Sequence, residues 1–211
     1  LHHDRSFSFH LSSDTRQKGV CPNINKRDAN GDHVRSGEEL HMHEMLTLEA
    51  FEDASEKVRE VTRETKLVES PSFSAISGNR VWLKPENMQR TGAYKVRGAY
   101  YKISTLSEEE LSHGLITASA GNHAQGVAYA ASRAGVRAVV VMPTTTPLIK
   151  VERTKGYGAE VVLAGDVYDE ACDYALKLAE REGLTFIHPF NDPVVATGQG
   201  TIAMEIVQEL P

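Results

Sequence analysis

The feature that most constrains this 211-residue chain is an alternation in its second half. Short apolar runs at Leu115–Ala118, Ala138–Met142, Glu160–Leu163 and 185–187 are separated by stretches in which apolar residues recur every three or four positions. Runs of this length that end in Gly or polar residues predict strands, and the longer stretches between them predict helices. Strands joined through helices pair in parallel by right-handed crossovers, which lay helices over both faces of the sheet. The expected fold class is therefore α/β, a three-layer open parallel sheet. The helix after the first strand is expected over 122–134, stopped by Gly135. The second is expected to be capped by Thr146 with Pro147 in its first turn, and the third to run over 167–181 with Asp166 as cap and Gly183 after it. A last helix over about 201–210 carries Ile202, Ile206 and Leu210 on one face.

Ahead of this alternation, Leu48, Phe51, Ala54, Val58 and Val61 step at helical spacing behind Thr47, a good N-cap. Residues 80–84 read as a strand ended by Pro85, and Lys95 opens a helix over 95–103. Residues 1–44 show no sustained period and are expected to be a disordered or non-native leader. His41 and His43 lie there without Cys or carboxylate partners at ligand spacing, so no metal site is expected. Only Cys21 and Cys172 occur, from which no disulfide framework can be read. Cys172, on a helix, is expected as a small buried hydrophobe, and this usage favours a reducing cytoplasm. A net charge of -6 offers no basic field for nucleic acid, and no apolar run approaches the roughly 20 residues that span a bilayer. The partner class left is a small molecule.

Two segments carry chemistry. The first is Lys84-Pro85-Glu86-Asn87-Met88-Gln89-Arg90-Thr91-Gly92-Ala93-Tyr94-Lys95-Val96-Arg97-Gly98-Ala99, and the second is Ser119-Ala120-Gly121-Asn122-His123-Ala124-Gln125-Gly126. A lysine at a helix start in a partly desolvated cleft has its proton affinity lowered by burial and by the positive helix end, which makes its amine nucleophilic near neutral pH. Taken alone, Lys95 is an ordinary surface lysine pairing with carboxylates such as those of Glu108, Glu109 and Glu110, and Arg97 is a brace in a salt bridge. Residues 119–122 fall at the carboxyl end of the first parallel strand, where open α/β sheets bind ligands and free backbone N–H groups suit an anion. Lys84, close to the same run, lies outside the motif and is the natural comparison lysine.

The two segments together, in this order, resemble the fold type II pyridoxal phosphate enzymes, and within them the threonine ammonia-lyase (threonine dehydratase) and serine racemase branch. That family carries Ser-Phe-Lys-x-Arg-Gly-Ala, whose lysine forms the Schiff base with the cofactor, and a Ser-x-Gly-Asn-His loop. Here Ala93 and Tyr94 replace the usual Ser and Phe. The similarity runs from about Leu46 to Pro211 and includes Thr197-Gly198-Gln199-Gly200-Thr201. It implies a tryptophan synthase beta-like architecture with pyridoxal 5'-phosphate as cofactor. Lys95 is then the catalytic residue that holds the cofactor and moves the substrate α-proton, Tyr94 packs on the pyridine ring, and Asn122 holds its 3'-oxygen. Ser119, Ala120, Gly121, Asn122 and His123 receive the carboxylate of an amino-acid substrate. The implied reaction takes L-threonine to 2-oxobutanoate, or L-serine to pyruvate, with release of ammonia, in a cytoplasmic homo-oligomer.

The resemblance also sets an expected organisation: a small α/β domain, complete, over 105–191, and a partial larger domain from 45–104 and 192–211. The family's Gly-rich phosphate loop has no counterpart here, since no run of three glycines occurs, so the chain is expected to be inactive by itself. Serine racemase or serine ammonia-lyase would use the same residues. A β-replacing sulfhydrylase fits less well, because its loop commonly reads Thr-Ser-Gly-Asn-Thr. A non-catalytic subunit that pairs with a full-length enzyme is the reading from a different class.

Overall fold

The computed structural model describes residues 46–210; the expectations for the leader, for His41 and His43 and for Cys21 lie outside the described residues. The sheet forms from four strands, β3 (Leu115–Ala118), β4 (Ala138–Met142), β5 (Glu160–Leu163) and β6 (Thr185–Phe186), all parallel, in the order β5-β4-β3-β6. The two central strands are buried along their whole length, the reason their sequences are continuously apolar rather than alternating. Successive side chains still separate by face. Leu115, Val140 and Met142 pack with Ala99, Ile103, Val127, Ala131 and Val151 on one side, while Ile116, Val139 and Val141 pack with Ala171, Ala175 and Leu178 on the other.

These partners define the outer layers. On the first face lie α3 (Lys95–Ser104), α5 (Asn122–Ala134) and α6 (Leu148–Gly156); on the second lies α7 (Tyr168–Glu182). Gly135 and Gly183 end α5 and α7 in the left-handed conformation, with φ of 71° and 70°. Before the sheet, α1 (Leu48–Val58) is capped by Thr47, whose Oγ1 accepts from Ala50 N at 3.2 Å. Its Ala54 and Val58 are buried against Tyr101 of α3 and Val194 of α8 (Pro193–Glu209). A small antiparallel pair, β1 (Val68–Glu69) with β2 (Trp82–Leu83), is bridged by α2 (Pro71–Ser77), and α4 (Glu108–His113) leads into β3 behind a Ser107/Glu110 capping box.

Several expectations are corrected. Helix α8 begins eight residues early, at Pro193, because Asp192 caps it by accepting from Val194 N and Val195 N at 2.8 and 3.2 Å. Gly198 in this added stretch serves close packing: a methyl there would stand 2.7 Å from Gly98 Cα and 2.9 Å from Arg97 O. Thr146 is not the cap of α6; Pro147 occupies that position without a side-chain bond. Asp166 does not cap α7, because its carboxylate accepts from Thr144 Oγ1 at 2.7 Å and Val167 takes the cap position. Cys172 is buried, as expected. No helix among the described residues is long and apolar enough to cross a membrane.

Candidate active site

The start of α3 and the first turn of α5, which follows the 119–121 loop after β3, both meet the 187–191 loop after β6 at the carboxyl edge of the sheet, through Lys95 Nζ with Pro189 O and His123 Nε2 with Ile187 O. Their closeness depends on one missing side chain. A Cβ on Gly126, in the second turn of α5, would lie 3.1 Å from Lys95 C, Lys95 O and Val96 N, so α5 rests directly on the backbone that carries the lysine. From the other side, Gly98 N donates to Gln199 Oε1 of α8 at 3.2 Å.

Lys95 is the first residue of α3, and its side chain is part-buried. Nζ donates to Pro189 O at 3.2 Å and stands 5.5 Å from the ring centroid of Tyr94 and 5.7 Å from that of Phe190. No carboxylate of the described residues lies within ion-pairing distance of it, Glu108, Glu109 and Glu110 included. Burial lowers its proton affinity below that of an ordinary lysine. An amine held between two rings, with no counter-ion among the described residues and its proton affinity lowered by burial, is chemically suited to bond an aldehyde.

Arg97, two residues on, is a structural brace. Its guanidinium is fully buried and spends all five N–H groups: Nε and Nη2 on Glu86 at 2.8 and 2.9 Å, Nη1 and Nη2 on Glu205 at 2.6 and 3.0 Å, and Nη1 on Thr201 Oγ1 at 3.1 Å. This ties the first turn of α3 to the 86–88 turn and to α8. Lys84 belongs to the same network, 2.7 Å from Glu205 and 3.3 Å from Glu209 with only 7% of its side chain exposed, so it is no neutral comparison for Lys95.

The loop after β3 is anchored at Ser119, whose N donates to Val141 O at 3.1 Å and whose Oγ accepts from Gly121 N at 3.2 Å. The Ser119 hydroxyl keeps its own proton to donate outward. Gly121 takes the N-cap position of α5 with no side-chain bond, leaving the first-turn amides of Asn122, His123 and Ala124 without intrahelical acceptors. Asn122 is therefore the first helical residue, not the cap, and its side chain is exposed. His123 turns inward: it is 4% exposed, and its Nε2 pairs with Ile187 O at 3.3 Å. Burial above all, with the nearby Lys95 and His188 charges, pushes its pKa down to about 4, so the ring is neutral and donates from Nε2. Nδ1 of that ring is buried without a partner. His123 thus offers the loop its backbone N–H, while its side chain holds the 187 carbonyl.

Comparison with known proteins bears directly on this arrangement. A family model described as pyridoxal-phosphate dependent enzyme matches residues 58–211, which contain both segments. The chain belongs to that family. The fit is chemical as well: Lys95 is free to bond an aldehyde, Tyr94 presents a ring beside it, and the start of α5 offers unpaired amides. The chain is 49% identical over 167 residues to L-threonine ammonia-lyase of Thermotoga maritima, covering 79% of this chain and 42% of that protein. It is 53% identical over 156 residues to threonine dehydratase 1 biosynthetic, chloroplastic, of Solanum lycopersicum, covering 74% of this chain and 26% of that one. The structure matches the processed form of threonine deaminase isoform 2 from Solanum lycopersicum with a TM-score of 0.72 at 44% identity, over 78% of this chain and 47% of that one. It matches maize serine racemase with a TM-score of 0.75 at 32% identity, over 78% and 50%. The chain thus spans half or less of the length of these proteins, and its parallel sheet is that of the fold type II pyridoxal phosphate enzymes.

The sequence motifs located Lys95, Tyr94 and residues 119–123, and the fold gathers the first of these with the 187–191 loop that they did not include. That loop supplies Pro189 O and the Phe190 ring, and His188 shapes it by accepting from Phe190 N and Asn191 N at 3.1 and 2.8 Å. Its place was readable in principle, because it follows a strand of the same parallel sheet at the same edge.

Proposed function

We propose that the whole protein is a pyridoxal-phosphate dependent threonine ammonia-lyase, converting L-threonine to 2-oxobutanoate and ammonia, and L-serine to pyruvate. The observation that carries the lyase reading is Lys95, an amine whose proton affinity is lowered by burial, flanked by two rings and free of any carboxylate among the described residues. The choice of threonine is supported by relatives named for that substrate at about half identity. When bound, the cofactor supplies an aldehyde for the amine and an electron-withdrawing ring that takes up the charge left by α-proton removal. Lys95 Nζ would hold the cofactor and move the substrate α-proton, and Tyr94 and the Asn122 side-chain amide would be the residues that hold the cofactor ring and its 3'-oxygen. Ser119 Oγ–H and the amides of Ala120, Asn122 and His123 receive the substrate carboxylate. The Gly121 N–H is not available for this, since it already donates to Ser119 Oγ. The β-hydroxyl leaves as water, and one water returns when the product loses ammonia.

The same proposal includes a small domain over 105–191, a larger domain built in part from 45–104 and 192–211, and a homo-oligomer in the cytoplasm serving amino-acid catabolism or isoleucine biosynthesis. The isolated 211-residue chain is proposed to be inactive. Assaying 2-oxobutanoate from threonine with the whole protein and its Lys95→Ala variant tests the assignment; turnover that survives the substitution refutes it. A second reading, serine racemase, is supported by the likeness to the maize enzyme and is separated by whether D-serine accumulates from L-serine.

A further inference from the structure

We propose that Phe190 sets the preference for threonine over serine, its ring forming the apolar wall against which the substrate's γ-methyl rests. This deepens the lyase reading and rests on it. Phe190 is 63% exposed, which is unusual for a phenylalanine at the ligand-binding edge of a parallel sheet, yet it is not loosely held. Its N donates to His188 Nδ1, and its ring meets Tyr168 edge-on at 6.4 Å and His188 at 6.3 Å. Lys95 Nζ stands over the ring, 5.7 Å from its centroid. Reacting atoms approach to roughly 3–3.5 Å, so a substrate whose α-carbon reaches Nζ brings its β-substituents, one or two bonds of ~1.5 Å further, within contact of that ring.

The ring has no hydrogen-bonding group, so it favours a methyl and gives nothing to a hydrogen. Tyr94 flanks the amine at a similar distance but lies next to Lys95 in the chain and is assigned to the cofactor ring. One methyl group against an apolar wall discriminates by about 10–200-fold, enough to prefer threonine while still accepting serine.

The test uses the whole protein with cofactor and its Phe190→Ala and Phe190→Leu variants. Two unreactive analogues that differ by the same methyl, L-2-aminobutanoate and L-alanine, are titrated through the change in cofactor absorbance, and kcat/KM is measured for threonine and serine. Phe190→Ala is expected to lower the 2-aminobutanoate preference and the threonine-to-serine kcat/KM ratio by about tenfold or more, whereas Phe190→Leu keeps most of both. Unchanged ratios, or an equal loss for both members of each pair, overturn the proposal and leave the ring structural. If the parent protein neither shows lysine-bound cofactor nor turns over either amino acid, the lyase reading itself fails and the proposal falls with it.

Discussion

Replacing Arg97 by Met should destabilise the protein strongly, and the structure sets the size. The guanidinium is fully buried and its five N–H groups serve two carboxylates and a hydroxyl. Its removal leaves Glu86 and Glu205 facing each other without their main counter-charge, a change that costs about 3–5 kcal/mol for a buried pair. Two features place the cost near the lower end. Glu205 remains paired with Lys84 at 2.7 Å, and Glu86 still accepts from Thr65 at 2.7 Å, while the two carboxylate side chains are 30% and 11% exposed. About 3 kcal/mol is expected, more than a hundredfold in the folding constant. Equilibrium unfolding in urea, followed by circular dichroism, measures it. Burial pushes the Glu86 carboxyl up, but hydrogen bonds from Arg97 and Thr65 and the Arg97 charge outweigh burial and hold it below the ordinary carboxylate value. Such a group contributes stability that is present at neutral pH and lost as pH falls through its lowered pKa. The gap between parent and Arg97→Met should therefore narrow in acid. Combining Arg97→Met with Glu86→Gln and Glu205→Gln should recover at least half of the loss. A cost below about 1 kcal/mol, or a gap independent of pH, would refute the reasoning.

Burial of neutral His123 predicts a second pH dependence: with its pKa lowered from 6.5 to about 4, the unfolded chain binds a proton that the folded one does not, so stability falls as pH drops between those values. The loss amounts to about 3 kcal/mol, and thermal melts of the parent should show an acid slope that His123→Gln lacks. Gly126→Ala places a methyl 3.1 Å from the backbone of Lys95 and Val96; it should cost about 1–3 kcal/mol and weaken cofactor binding, measured by equilibrium titration, whereas unchanged affinity would show that α5 does not position the lysine.

Strands β3 and β4 were legible to the residue because their burial demands continuous apolar runs between clear turns, and the edge strand β5, exposed at both ends, was legible from its Val161-Val162-Leu163 run. The start of α8 was not, since glycine lowers helix propensity locally and only tertiary contact with α3 explains Gly198. Short elements such as α2 and α4 bury no residue of their own and leave no periodic trace. The lysine motif and the loop after β3 were visible as contiguous sequence. The Arg97–Glu205 pair spans 108 positions and the Lys95–Pro189 contact 94, separations at which a single sequence carries no pairing information.

The central claim is that Lys95 is the amine that holds the cofactor, and it is most directly tested by covalent trapping. The whole protein, loaded with pyridoxal 5'-phosphate, is reduced with borohydride, digested and mapped by mass spectrometry, with Lys155→Ala as the comparison because Lys155 is an exposed lysine paired with Glu152. The account predicts the reduced cofactor on the peptide containing Lys95, and its absence in Lys95→Ala but not in Lys155→Ala. Cofactor fixed to Lys84 or to any other lysine in the parent protein would contradict it.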